Sequence, residues 1–216
     1  MTHFFYAEHL IKKRAAFTVD VTMAVPKGTM TVIVGSSGSG KSTILRLIAG
    51  LETADSPATR IMLAGTDITS CAPGRRRVGM VFQQTALFPH LSVQDNVAYG
   101  LTARGMRPRA ARKQADELLT QFGLDGYGRR WPETLSGGEA QRVAVARTLI
   151  VQPELILFDE PLSALDGPLR TKLADDIRAL QRQTGFTGIW VTHDIAEAER
   201  IADRIAVVDR GCMTEK

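Results

Sequence analysis

The stretch Gly35 to Thr43, GSSGSGKST, gathers small residues, one lysine and several hydroxyls into a short loop. It fits the phosphate-loop spacing G-x-x-x-x-G-K-[ST] at every fixed position: Gly35, Gly40, Lys41 and Ser42. The chemistry follows from the residue types. Glycines let backbone N–H groups turn inward around a phosphate, and the helix that follows adds the positive end of its dipole. Lys41 brings a full charge to the outer phosphates, and the Ser42 hydroxyl suits Mg²⁺. Ser36, Ser37, Gly38, Ser39 and Thr43 complete the cradle. A nucleoside triphosphate site is the working assumption, and the loop alone does not choose between kinase, GTPase and ATPase chemistry.

A second group of chemical residues lies downstream. Asp159 and Glu160 close the apolar run LILF. A carboxylate at the C-terminal end of a central strand faces the phosphate loop in open α/β sheets. Asp159 is expected to hold Mg²⁺ through its water shell, and Glu160 to orient and polarise an attacking water. His193 follows another apolar run, GIWVT. It reads either as a capping or surface histidine or as a sensor of the γ-phosphate, with Asp194 capping the next helix. Gln83 ends the run VGMVF; its neutral amide can ligate Mg²⁺ or hold a water.

A third feature is LSGGEAQR, starting at Leu135. Ser136 and Glu139 have the spacing of a capping box. Gly137 and Gly138 leave the start of the helix bare, which makes it a second anion site. The chain has one complete phosphate loop, so this second site needs a phosphate from elsewhere. A symmetric dimer supplies it, with each copy's second loop closing over the other's nucleotide.

Elements to position these residues are legible in the pattern. Phe17 to Val25 alternates as a half-buried strand, and Thr31–Val34, Arg60–Gly65, Val78–Phe82 and Leu155–Asp159 read as further strands. GIWVTHD and RIAVVD read as two more. Helices are expected over Ser42–Ala49, stopped by Gly50; over Val93–Leu101, behind a Ser92/Asp95 box; over Pro108–Phe122, ended by Gly123; along the stripe Leu169, Leu173, Ile177, Leu180; and from after Asp194 to Asp203. Alternating strands and helices predict an α/β domain with a mainly parallel sheet, interrupted from about Thr85 to Gln152 by an inserted helical lobe.

Composition narrows the classes. The chain has 216 residues, net charge +4 and ordinary hydrophobic content of 44%, enough for a sizeable core. Arginine clusters such as Arg75-Arg76-Arg77 read as solvated faces, and without aromatic interleaving no nucleic-acid groove is expected. Cys71 and Cys212 have no metal spacing and suit a reducing compartment. No apolar run approaches the length of a membrane span, so any membrane link is expected to go through a partner.

With these residues in hand, nearly the whole chain resembles the nucleotide-binding subunits of ABC transporters. The Walker A loop is GSSGSGKST, the Q-loop holds Gln83, the signature is LSGGEAQR, Walker B is LILFDE, the D-loop is Ser163 to Asp166, and the switch histidine is His193. The resemblance implies a P-loop NTPase fold of the RecA-like kind, with N-terminal antiparallel β strands. Residues 1–83 and 153–216 would form the core and β layer of a single 1–216 domain, and residues 84–152 the helical signature subdomain. It implies ATP with Mg²⁺, the metal served by Ser42, Gln83 and Asp159. Glu160 would be catalytic, with His193 and Gln83. Ser136, Gly137, Gly138, Glu139 and Asp166 would contact ATP in trans within a dimer of two copies. Dimer closure would drive a transmembrane permease, and indirectly serve a solute-binding protein, from the cytoplasmic face of the cell membrane.

The runs RRRVGMVFQQTALFPHLSVQDNVAYGL and DEPLSALD look like importer ATPases for sugars, polyamines, sulfate, iron, molybdate and thiamine, and the length looks nearest to the compact thiamine type. Segment Gln84 to Ser92 is then expected to touch the permease. Two other readings stand beside this one: the ATPase of an exporter or lipoprotein-release system, and a soluble ABC ATPase outside transport. The sequence departs from the family where adenine is usually stacked on an aromatic: the zone reads LIKKR, flanked by Tyr6 and Phe17.

Overall fold

The structure, a computed structural model, describes residues 4–163 and 165–215. In chain order its main elements are β1 (Phe5–Lys13), β2 (Thr18–Val25), β3 (Met30–Val34), α1 (Lys41–Ala49), β4 (Arg60–Leu63), β5 (Thr66–Asp67), β6 (Val78–Val81), α2 (Val93–Ala103), α3 (Pro108–Gln121), α4 (Gly137–Leu149), β7 (Leu155–Asp159), α5 (Gly167–Thr184), β8 (Thr187–Thr192), α6 (Ile195–Ile201), β9 (Arg204–Asp209) and β10 (Cys212–Glu215). The described strands form one sheet in the order β5-β4-β1-β2-β10-β9-β3-β8-β7-β6.

One half of that sheet carries the parallel run: β3 pairs with β8 and β9, and β7 pairs with β8. These strands are MTVIV, LILFD and TGIWVT, buried at every position. Continuous apolar runs are what a sheet covered on both faces requires. The other wing is antiparallel, β1 lying between β2 and β4. The α/β expectation therefore holds, with the parallel run in one half of the sheet and the antiparallel wing in the other.

The chain divides into two compact units. The first comprises Met1–Met80, Glu154–Glu160 and Ile177–Lys216; the second comprises Val81–Pro153 and Pro161–Asp176. In the first, Ile44, Leu45, Leu47 and Ile48 of α1 are buried with Ile33, Leu157, Ile189 and Val191 of the sheet. Each such side chain contributes roughly 1.5–3 kcal/mol on burial. Helix α1 ends at Gly50, in left-handed backbone at φ 75°, whose N–H reaches back to the carbonyls of Arg46 and Leu47.

In the second unit α2, α3 and α4 share a core of Val93, Val97, Ala111, Ala115, Leu119, Val143 and Ala146. Their spacing in each helix is the three-and-four repeat of one apolar face. Helix α3 runs to Gln121 with Phe122 as its C-cap, close to the expected boundary. Helix α6 ends at Ile201, earlier than expected, because β9 already begins at Arg204. No helix among the described residues is long and apolar enough to cross a membrane.

Candidate active site

The first unit assembles the phosphate-loop residues. Helix α1 opens at Lys41, and its N-cap is Gly40, held at φ 109° with no side-chain cap. The first amides of a helix have no partner within it, so this end is an uncapped positive pole beside the loop. Lys41 is 3% exposed. Its ammonium donates to the carbonyls of Gly35 and Ser36, 2.8 Å each, and stands 3.5 Å from Glu160 Oε1. The charge is thus kept in the loop by neutral carbonyls.

The hydroxyl of Ser39 is buried with no hydrogen-bond partner. An orphan of this kind costs roughly 1–3 kcal/mol, which a phosphate oxygen in the loop would relieve. The Ser42 hydroxyl donates to Asp159 Oδ1 at 2.7 Å. Two adjacent hard oxygens suit Mg²⁺, which keeps several waters and takes one or two protein ligands beside phosphate oxygens. No group of three or more His, Cys, Asp or Glu side chains able to hold a metal occurs among the described residues.

Strand β7 delivers both acids, but they should point to opposite faces if the strand simply continued. The backbone solves this at Glu160, which adopts left-handed φ 45° and donates its N–H to the Val191 carbonyl at 3.1 Å. Holding a non-glycine residue there costs about 1–3 kcal/mol. The turn brings Glu160 to Lys41 while Asp159 reaches Ser42. His193, one residue past β8, places Nδ1 3.1 Å from Glu160 Oε2 and is half exposed.

Two devices fix the His193 turn. Asp194 caps α6 by accepting the N–H groups of Ala196 and Glu197. Below it, buried Trp190 donates to Glu197 at 2.7 Å and stacks on Phe158 of β7, centroids 4.7 Å apart. The ends of β7 and β8 therefore share one rigid aromatic floor.

The LIKKR zone is engaged in polar contacts. Lys12 pairs with Asp55 at 2.7 Å, and Arg14 pairs with Glu52 at 2.5 Å and donates to Thr43 Oγ1 at 3.1 Å. Phe17 borders the phosphate loop, where a Cβ on Gly40 would lie 3.2 Å from its ring; Tyr6 is half buried in β1.

The second unit holds the other expected residues. Ser136 caps α4, and with Glu139 it forms the reciprocal capping box. Gly138 has a packing reason beyond leaving the helix bare: a Cβ there would stand 2.9 Å from Leu169 Cδ2. Asp166 accepts the N–H of Leu169 at 3.0 Å and opens α5. Ala164 of the D-loop lies outside the described residues. Gln83 is exposed, two residues past β6.

Segment 84–92 is tied down by residues that no local pattern announced. Buried Asn96 accepts the N–H of Phe88 and donates to the carbonyls of Phe88, Leu91 and Ser92, all at 2.8–3.0 Å. Arg147 donates to the carbonyls of Ala86 and Thr85, with its guanidinium 5.3 Å from the Phe88 ring. Burial lowers the Arg147 pKa from its ordinary value.

A phosphate loop on a parallel sheet, with two acids and a histidine at the neighbouring strand ends, defines the class of P-loop nucleotide-binding proteins. Residues 18–163 match the ABC transporter family, and the chain belongs to it. It is 47% identical over 210 residues to the Fe(3+) ions import ATP-binding protein FbpC 1 of Rhizobium meliloti (strain 1021), covering 96% of this chain and 59% of that protein. The Fe(3+) ions import ATP-binding protein FbpC of Agrobacterium fabrum is 48% identical over 206 residues, 94% of this chain and 58% of its own. The sulfate/thiosulfate import ATP-binding protein CysA of Nocardia farcinica is 49% identical over 193 residues, 89% of this chain and 57% of its own. The chain thus spans about three fifths of the length of the relatives it matches.

Proposed function

We propose that this chain binds and hydrolyses ATP to power an ABC importer for a small solute. It would work as a pair of copies that close over ATP beneath a permease, on the cytoplasmic face of the membrane. The observation that carries the reading is the pairing, beside the phosphate loop, of Ser42 with Asp159, Lys41 with Glu160, and Glu160 with His193. The relatives' names, import ATP-binding proteins for Fe(3+) and for sulfate/thiosulfate, support the importer side.

Lys41, the amides from Gly35 to Gly40 and Thr43 bind the phosphates. Ser42 and Asp159, with Gln83, would hold Mg²⁺, which would supply positive charge to offset that of the phosphates. His193 holds Glu160 Oε2, and Oε1 faces Lys41. When Lys41 turns its ammonium to a phosphate, Oε1 is released to accept a hydrogen bond from the attacking water. Ser136, Gly137 and Gly138 meet the partner copy's γ-phosphate through the bare start of α4, alongside Glu139 and Asp166. In this reading residues 1–83 and 153–216 form the nucleotide core, and residues 84–152 form the lobe that meets the permease, through the braced segment 84–92. A solute-binding protein then delivers the solute to that permease.

The test is the Glu160→Gln form with ATP and Mg²⁺. It should bind ATP, fail to turn over, and pass from one copy to two in sedimentation. A chain that stays single with ATP bound overturns the sandwich. Recovering this form from source membranes should bring a polytopic permease with it; recovering ribosomal proteins alone overturns the transport reading.

A further inference from the structure

The carboxylate of Glu139 has more partners than a capping box needs. Oε2 accepts from the Ser136 N–H at 2.7 Å and from its hydroxyl at 2.9 Å, as the box requires. Oε1 accepts from the Tyr127 hydroxyl at 2.6 Å. Tyr127 lies in a short 3-10 turn, Tyr127–Arg129, which precedes the signature in sequence. Its ring is half buried against the α2–α3–α4 core, and the Arg130 guanidinium covers its face at 3.7 Å from the centroid. The carbonyl of Arg130 accepts the first amide of α2, from Val93, at 2.9 Å. Tyr127 therefore joins the start of α2 to the start of α4.

We infer that Tyr127 is a positioning residue for the signature loop: its hydroxyl, through Glu139, sets where Ser136 and the bare amides of Gly137 and Gly138 stand. This rests on the proposed role of those residues toward the partner copy's phosphate. A carboxylate that accepts only from its own cap can swing with the cap. One that also accepts from a tyrosine clamped between the core and an arginine cannot. The short contact to an ionised acceptor is the strong kind of hydrogen bond. A tyrosine that merely filled the core would lose nothing at the signature when its hydroxyl was removed.

The test compares Tyr127→Phe with the unaltered residue, both in the Glu160→Gln background, by ATP-driven pairing in sedimentation. The phenylalanine keeps the ring and the Arg130 contact. ATP binding to the single copy and the thermal midpoint should stay the same, while pairing weakens about fivefold, as for loss of one charge-assisted hydrogen bond at a part-exposed site. In a Glu139→Ala background the same substitution should have no further effect. Glu139→Gln should preserve the effect of the hydroxyl, because the amide can still bond it. Equal pairing with and without the hydroxyl overturns the inference, and so does an undiminished effect in the Glu139→Ala background. If the parent itself fails to pair with ATP, the sandwich reading falls, and the positioning role falls with it.

Discussion

Nδ1 of His193 and Oε2 of Glu160 stand 3.1 Å apart at the ends of neighbouring parallel strands, β8 and β7. The contact leaves the other carboxylate oxygen directed at Lys41. Replacing Glu160 by glutamine keeps the size and the left-handed turn but removes the acceptor charge. The expected outcome is a fall in kcat of about a hundredfold or more, with ATP affinity retained. His193→Ala should lower kcat as well, and adding it to Glu160→Gln should cost little further, because in the proposed mechanism both act on one water. Single-turnover kinetics on the three forms check this; strictly multiplicative losses would separate the two residues.

Gly138 poses a question of sign. An alanine methyl there would meet Leu169 Cδ2 at 2.9 Å, so the leucine must rotate. Against that, alanine favours a helix over glycine by up to about 1 kcal/mol. The two effects oppose, and stability should change by less than about 1 kcal/mol. Activity should fall much further, by about tenfold or more, because relieving the clash with Leu169 displaces the start of α4, whose uncapped amides the proposed role requires. Thermal unfolding beside ATPase rates decides it. A loss of activity fully accounted for by unfolding would confine Gly138 to a packing role.

Much of this was legible in the sequence because the informative features are local. The helix after the phosphate loop, the runs LILFD and GIWVT, and the Ser136–Glu139 box each lie within a few residues, and each forms as expected. Strand β1 was not individually legible, for a physical reason. Its buried residues are Phe5, Ala7 and Leu10, so the period of two breaks at a bulge between Ala7 and Leu10, where His9 takes φ 49°. The left-handed turn at Glu160 carries no glycine to announce it. The reach of Tyr127 to Glu139 and of Arg147 to Ala86 spans 12 and 61 positions, beyond any local pattern.

Arg76 is the arginine that composition misjudges. In Arg75-Arg76-Arg77 the outer two are exposed, but Arg76 is 6% exposed. Its guanidinium donates to the carbonyls of Leu47 and Ile48 in the last turn of α1, and to those of Cys71 and Thr69 in the loop before β6. A Cβ at Gly50 would lie 2.4 Å from its Nε, so that glycine both turns the chain and makes room. Burial lowers the Arg76 pKa, and the negative end of the α1 dipole offsets part of that cost. Arg76→Met should leave those carbonyls unpaired and destabilise the chain by roughly 2–4 kcal/mol. Urea unfolding should show a lower midpoint at unchanged slope. A midpoint within error of the parent would mean that water replaces the guanidinium without loss.

Acid should act on the signature brace in a predictable direction. The Tyr127 hydroxyl first, then the Ser136 amide and the Ser136 hydroxyl, hold the Glu139 carboxyl down to about 2, against an ordinary 4.5. A carboxyl lowered in the folded state contributes its stabilisation in full above the unfolded value and loses it as pH falls toward the folded one. The contribution is therefore complete above 4.5 and fades between 4.5 and about 2. The side chain is partly exposed, so solvent screening keeps the effect on global stability small, and a local probe is the proper measurement. Carbon chemical shifts of the Glu139 carboxyl, followed on acidification, should titrate late in the parent and earlier in Tyr127→Phe. The two forms should coincide above about pH 6, where both carboxyls are ionised. Identical titrations would remove the hydroxyl as the cause of the lowered value and leave the Ser136 donors to account for it.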